Sequence, residues 1–293
     1  MNEPMVKYSK SGAVATVTLN RPEKYNTLRV ELIDELDQAM RDANRDEAIK
    51  VIVLEGAGDS FCGGFDFSGG LEHFPGITED GYDPGIDHHM VTNHYTSYIT
   101  TFMGLWRGLK PVIAKVHGYC VGGGSELALC ADIVIASEDA RIGTPYSRVW
   151  GCHLTGMWVY RLGLAKAKYY ALTGDWISGK DAADIELINF SYPLEELDQR
   201  VAELAGKLAK IPLTQLVSMK LIVNQAYDNM GLQGTQTLGP ILDGAMRNTR
   251  EGKAFVRLAM TEGVKAAVTQ RDAPFGDYSQ APKEDQPRKR SEL

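Results

Sequence analysis

The stretch Gly118-Tyr119-Cys120-Val121-Gly122-Gly123-Gly124-Ser125-Glu126-Leu127-Ala128-Leu129-Cys130-Ala131-Asp132 decides how this chain is read. Three consecutive glycines after the apolar run Val112 to Val116 let the backbone turn sharply and approach a ligand with no Cβ in the way. A short helix opens at these glycines, and its first N–H groups have no intrahelical acceptor. Together with the helix dipole they can bind a developing negative charge, which is the chemistry of an oxyanion hole. Glu126 follows Gly123 by one helical turn, so its carboxylate can stand beside the same ligand atom. The same spacing also suits a tight packing turn with a surface glutamate, and taken alone it leaves both readings open.

Working outward, the first half of the chain alternates short β-branched runs with helical periodicity, the pattern of strands crossed over by helices. Ala13 to Leu19 reads as a strand ended by Asn20-Arg21-Pro22. Leu28, Leu32, Leu36 and Met40, with Ile33 beside them, then form one apolar helical stripe. Further strands are expected at Val51 to Leu54, Val112 to Val116 and Ile133 to Ala136. Residues 68 to 94, rich in Gly, Pro, Asp and His, read as a long loop or lid with short helical pieces. From about residue 195 the pattern is wholly helical: Leu197, Val201, Leu204 and Leu208, then Leu216, Met219 and Val223 after Pro212. Residues 1–200 are therefore expected to form the core and 201–275 a helical domain, with 276–293 a disordered tail.

The chain has 293 residues, 44% of them apolar, and a net charge of −7. No basic field exists to attract a nucleic-acid backbone or an anionic membrane surface. The basic cluster Arg288, Lys289, Arg290 sits among polar residues and reads as a solvated end. Cys62, Cys120, Cys130 and Cys152 show no CxxC spacing, no signal-peptide pattern opens the chain, and no apolar run reaches the ~18 residues of a membrane span. A reducing, cytoplasmic setting is expected, with neither membrane nor nucleic-acid partners.

A second glycine-rich stretch, Gly58 to Ser68, also follows a strand and can supply another free backbone N–H. Dinucleotide and P-loop phosphate motifs are missing, as is a GxSxG nucleophile elbow. His88, His89 and His94 match no zinc spacing, so no metal is expected. His117, just before the glycine turn, reads as a hydrogen-bonded structural histidine. Tyr146, after Gly143-Thr144-Pro145, is as compatible with a core tyrosine as with a catalytic one.

Three segments in order and spacing carry a resemblance: Asn20-Arg21-Pro22-Glu23-Lys24-Tyr25-Asn26-Thr27-Leu28, Phe61-Cys62-Gly63-Gly64-Phe65-Asp66-Phe67, and the glycine-rich Glu126 helix. From about residue 6 to 278 the chain resembles the crotonase (enoyl-CoA hydratase/isomerase) superfamily. The resemblance implies an α/β fold, a crotonase-type spiral of strand-strand-helix turns with a C-terminal helical trimerisation domain, assembled as a homotrimer or hexamer. It implies an acyl-CoA thioester substrate in fatty acid metabolism, with coenzyme A part of the substrate and no separate cofactor.

By position, the resemblance makes Phe65 and Gly123 the two oxyanion N–H donors. Residues Phe65, Asp66, Phe67 and Ser68 would line the thioester end, and Lys24 would contact phosphate. Glu126 matches the first of the two glutamates with which hydratases activate water and protonate the α-carbon. Tyr146 stands where the second belongs, with about one extra residue before Gly151, and Gln270 lies near the place of the family's C-terminal CoA lysine. The leading expectation is an enoyl-CoA hydratase-like lyase using Glu126 and Tyr146. The alternatives are a crotonase-type isomerase, decarboxylase or C–C hydrolase and, from another class, an RNA-binding homologue.

Overall fold

The computed structural model describes residues 3–67, 77–78, 81–92 and 97–292. In chain order the strands are β1 (Val6–Ser11), β2 (Val14–Leu19), β3 (Val51–Gly56), β4 (Ile77–Thr78), β5 (Gly81–Tyr82), β6 (Val112–Val116), β7 (Tyr119–Val121), β8 (Ile133–Ser137), β9 (Arg141–Gly143), β10 (Trp176–Ser178) and β11 (Phe190–Tyr192). The helices are α1 (Val30–Arg45), α2 (Pro84–Thr92), α3 (Tyr98–Arg107), α4 (Gly123–Leu129), α5 (Met157–Leu162), α6 (Leu164–Thr173), α7 (Gly179–Asp184), α8 (Leu197–Ala209), α9 (Leu213–Asn229), α10 (Leu232–Arg247), α11 (Arg250–Glu262) and α12 (Val264–Asp272).

A six-stranded sheet runs β1-β2-β3-β6-β8-β11; β1 and β2 form an antiparallel hairpin and the other pairs are parallel. A smaller sheet, β10-β9-β7, stacks the second strand of each turn, giving the expected spiral of strand, strand and helix. In β2, buried Ala15, Val17 and Leu19 alternate with less buried residues, whereas β6 is buried throughout, as a parallel strand covered on both faces must be. One core lies against α1, α3 and α4. A second, formed by Val51, Val53, Ile113 and Ile135, is covered by Leu197, Val201 and Ala205 of α8.

Three features differ from the sequence expectation. Leu28 is not on the α1 stripe: α1 starts at Val30, and Leu28 instead bridges to Phe65. The boundary expected at residue 200 falls inside α8, whose apolar face belongs to the sheet. Residues 276–292, expected as a disordered tail, run back along the core. Tyr278 is 5% exposed and its hydroxyl donates to Gly174 O at 2.9 Å, while Asp277 takes two bonds from the Arg148 guanidinium at 2.6 and 2.7 Å. Arg141 Nε donates to Asp285 O at 2.8 Å, and Ser291 N donates to Asp59 Oδ1 at 3.0 Å. These are polar, long-range contacts, and hydrophobic periodicity carries no trace of them.

Two loops that frame the site are joined by one buried amide. Asn26, fully buried and left-handed at φ 54°, accepts from Arg21 N at 2.8 Å. Its Nδ2 donates to Ala57 O, Ser60 O and Phe61 O at 2.9, 2.8 and 3.2 Å. Asn26→Ala strands these carbonyls and forces a Cβ residue that dislikes φ > 0, so a stability loss of about 2–4 kcal/mol is expected in urea unfolding. A loss under about 0.5 kcal/mol would show that the loops hold themselves.

Candidate active site

Two glycine-rich segments meet through parallel bridges. Cys62 pairs with Cys120, with Cys62 N donating to Tyr119 O and Val121 N to Cys62 O. Leu28 pairs with Phe65: Leu28 N donates to Gly64 O and Asp66 N to Leu28 O, each at 2.8 Å. Because extended backbone alternates its polar groups, this pairing turns the Phe65 N–H away from Leu28. Among the described residues it has no acceptor.

Across from it, Gly122 takes φ 56°, ψ −125°, and starts α4. Gly123 follows, its N–H likewise without an acceptor among the described residues. The glycines are required by contact as well as by dihedral. A Cβ on Gly123 would fall 2.7 Å from Phe65 Cζ, and one on Gly124 2.6 Å from Cys62 O.

A cavity of about 1310 Å³ opens on this junction, lined by Gly64, Phe65, Gly122 and Tyr146 among others. One stretch of its wall is aromatic: Phe67, Trp150 and Phe255 pack mutually edge-to-face, with centroids 5.5 to 5.6 Å apart. Lys24, Lys265, Arg271 and Lys289 supply cationic lining. Asp66 lines the cavity too, 3.0 Å from Arg21 in an ion pair. Ser68 and His94 lie outside the described residues, while His88 and His89 fall on α2. Among the described residues no group of three or more His, Cys, Asp or Glu is arranged to hold a metal.

Glu126 is 0% exposed and set behind that wall, absent from the lining residues described. One carboxylate oxygen accepts from the Thr155 N–H at 3.1 Å and from the Thr155 hydroxyl; the other lies 3.2 Å from His153 Nδ1. A buried carboxylate needs such donors. Thr155 and His153 belong to no motif and were not legible from sequence, and only the irregular loop after Tyr146 hinted at them.

Tyr146 starts a short 3-10 turn with Pro145 and lies beside both groups. Its ring centroid is 6.0 Å from that of His153, and its buried hydroxyl has no hydrogen-bond partner among the described residues. Burial, reinforced by the Glu126 charge, pushes the phenol well above its usual pKa, so it stays protonated.

The fold and this backbone-lined cavity define the class, and comparison with known proteins names it. Residues 9–277 match the Enoyl-CoA hydratase/isomerase family. The chain is 30% identical over 282 residues to the mitochondrial enoyl-CoA hydratase of Pongo abelii, covering 92% of this chain and 86% of that one. A crystal structure of enoyl-CoA hydratase from Mycobacterium smegmatis superposes with a TM-score of 0.88 at 37% identity, covering 95% and 97% of the two chains. An enoyl-CoA hydratase/isomerase from Xanthobacter autotrophicus Py2 gives 0.80 at 29%, covering 92% and 98%. The chain belongs to the enoyl-CoA hydratase/isomerase family of the crotonase superfamily.

His117 takes the structural role expected of it. It is fully buried, with Nε2 2.9 Å from Gly58 O, and burial lowers its pKa to about 4. The unfolded chain takes up a proton near pH 6.5 that the folded one refuses. Stability is therefore full above about pH 6.5 and falls towards pH 4, by up to about 1.4 kcal/mol per pH unit from this group. Urea unfolding from pH 7 to 4.5 should show a flatter acid slope in His117→Gln than in wild type; equal slopes would assign the acid loss to other groups.

Proposed function

We propose that the protein is an enoyl-CoA hydratase-like lyase of acyl-CoA metabolism, working in the cytoplasm on a thioester whose coenzyme A is part of the substrate. The observation that carries this reading is the pair of unsatisfied N–H groups, Phe65 and Gly123, at a cavity large enough for an acyl thioester. The thioester oxygen accepts from both, so negative charge developing there is stabilised by donors already in place. Water bonds to the β-carbon while Glu126 takes its proton through a lone pair not used by Thr155 or His153. Tyr146 donates a hydrogen bond to the reacting end, and Lys24, Asp66, Phe67 and Ser68 help seat the substrate. No metal or separate cofactor takes part.

A second reading, a crotonase-type isomerase, decarboxylase or C–C hydrolase, is favoured by one feature: a phenol replaces the second carboxylate at residue 146. A panel of enoyl-, malonyl- and β-diketoacyl-CoA thioesters separates these classes by product. Glu126→Gln keeps size and a hydrogen-bonding oxygen but cannot accept a proton. We expect turnover to fall 10²–10⁴-fold, with calorimetric affinity for a saturated acyl-CoA changed less than threefold. Undiminished turnover would remove Glu126 from the mechanism.

The helical region supports assembly into a trimer or a pair of trimers. Met219, Leu221, Ile222 and Val223 of α9 are 53 to 69% exposed, so this apolar face points outward. An apolar face of this kind on a single chain marks an interaction surface. Light scattering should give three or six chains per particle, and Ile222→Glu should lower that number; a monomeric wild type would exclude the assembly.

A further inference from the structure

We propose that Asp243, on α10, is the acid that protonates the α-carbon, supplying from the helical layer the carboxylate missing at the Pro145-Tyr146 turn. This rests on the reading of the site as an acyl-CoA enzyme that forms a thioester enolate.

The enolate needs a proton, and the groups nearest the backbone N–H pair are poor sources. Tyr146 can offer a hydrogen bond, but giving up its proton would create a buried phenolate near Glu126. Glu126 already serves the attacking water in this reading, and its two oxygens are held by Thr155 and His153. Of the other carboxylates on the lining, Asp66 pairs with Arg21, Asp272 with Arg271 and Arg148, and Asp59 with Ser291, while Glu23 lies exposed on the Pro22–Lys24 turn.

Asp243 lines the same cavity as Tyr146 and keeps 14% of its side chain exposed there. Its Oδ2 lies 3.0 Å from Arg247 Nε, and Cys152 contributes a backbone hydrogen bond. Arg247 also pairs with Asp87 at 2.7 Å, and the Tyr82 hydroxyl donates to the same Asp87 oxygen at 3.1 Å. One guanidinium thus faces two carboxylates. Gly244 lets α10 come close: a Cβ there would fall 2.1 Å from Tyr82 Oη and 2.2 Å from Asp87 Oδ2. The acid is therefore mounted on a fixed helix rather than a loop.

In the step, the carbanionic electron pair at the α-carbon forms a C–H bond with the Asp243 proton. The O–H bond breaks and its electrons stay on the carboxylate beside Arg247. The proton that Glu126 took from water returns to Asp243 through solvent, so the cycle closes with one water added. The charged and titratable groups around Asp243 are Arg247, Asp87, Tyr82, Cys152 and Tyr146. Burial raises the Asp243 pKa above the ordinary carboxylate value, with Arg247 opposing, so its acid form persists to higher pH. Hydration should then weaken as pH rises through that value.

The test uses the full-length enzyme with Asp243→Asn, Asp243→Glu and Asp87→Asn. Two readouts are taken: kcat against pH on the preferred enoyl-CoA, and α-proton exchange of the matching saturated acyl-CoA in D₂O. We expect Asp243→Asn to lower both rates at least 10²-fold while calorimetric affinity for the saturated thioester changes less than threefold. Asp243→Glu should recover part of both rates, and Asp87→Asn should retain exchange while its alkaline limb moves to lower pH, because a like charge beside Asp243 is gone. Equal losses with identical pH profiles in Asp243→Asn and Asp87→Asn would reduce the trio to a structural ion cluster and overturn the proposal. So would exchange in Asp243→Asn at the wild-type rate, or no exchange in wild type. A wild type that exchanges α-protons but hydrates nothing would refute hydration while leaving Asp243 as the proton carrier.

Discussion

The site depends on the amide of Asn26. Three carbonyls, from Ala57, Ser60 and Phe61, turn inward at the end of β3, where water is excluded and each needs a donor. A single side-chain Nδ2 serves all three, and its own carbonyl ties back to Arg21. That junction sets the height of Leu28 against the 63–66 segment, and the Leu28 bridge in turn decides which way the Phe65 N–H faces. A left-handed φ at 26 is tolerated by asparagine at small cost, whereas most residues with the same size would strain the loop. The orientation of the Phe65 N–H thus begins with hydrogen bonds made at Asn26.

Charge plays a second architectural part where apolar area runs short. Arg148, 1% exposed at its side chain, lies against the Phe275 ring at 4.0 Å and binds Asp277 through both guanidinium ends. Removing such a cation from water is costly, and the paired carboxylate and ring faces offset it. The outcome is an ordered C-terminal segment without a hydrophobic stripe. Lys289, within that segment, thereby joins Lys24 on the cavity lining, although the two are distant in sequence.

How much of this could be read from sequence follows from which forces leave periodic traces. The strands Val112 to Val116 and Ile133 to Ala136 are legible because buried parallel strands are continuous apolar runs, and the glycine turn because only glycine meets its dihedrals and contacts. Glu126 stood out by its spacing from those glycines. Thr155 and His153, which hold it, did not, because hydrogen bonds between residues 27 or 29 apart have no local signature. Leu28 misled for a related reason: its apolar character satisfies a helical stripe and a bridging strand equally. The α9 stripe is legible as helical, but which way it faces is not, since periodicity reports a face and not what covers it. Asp243 carries no such signal, as a lone acid in an amphipathic helix is most simply a solvated one.

The exchange of a carboxylate for Tyr146 has a physical logic of its own. Glu126 is fully buried, and a second carboxylate on the neighbouring turn would set a like charge beside it, where burial weakens screening. One of the two would then have to take up a proton or draw in a cation. A phenol avoids this conflict: it fills the space under Gly122 and Gly151, remains neutral because burial raises its pKa, and leaves Glu126 with only hydrogen-bond donors around it. The second carboxyl group stands instead on α10, beside Arg247. Separating the two carboxylates in this way lets each keep its own donors, and it makes the reacting end of the cavity a joint product of the sheet spiral and the helical layer.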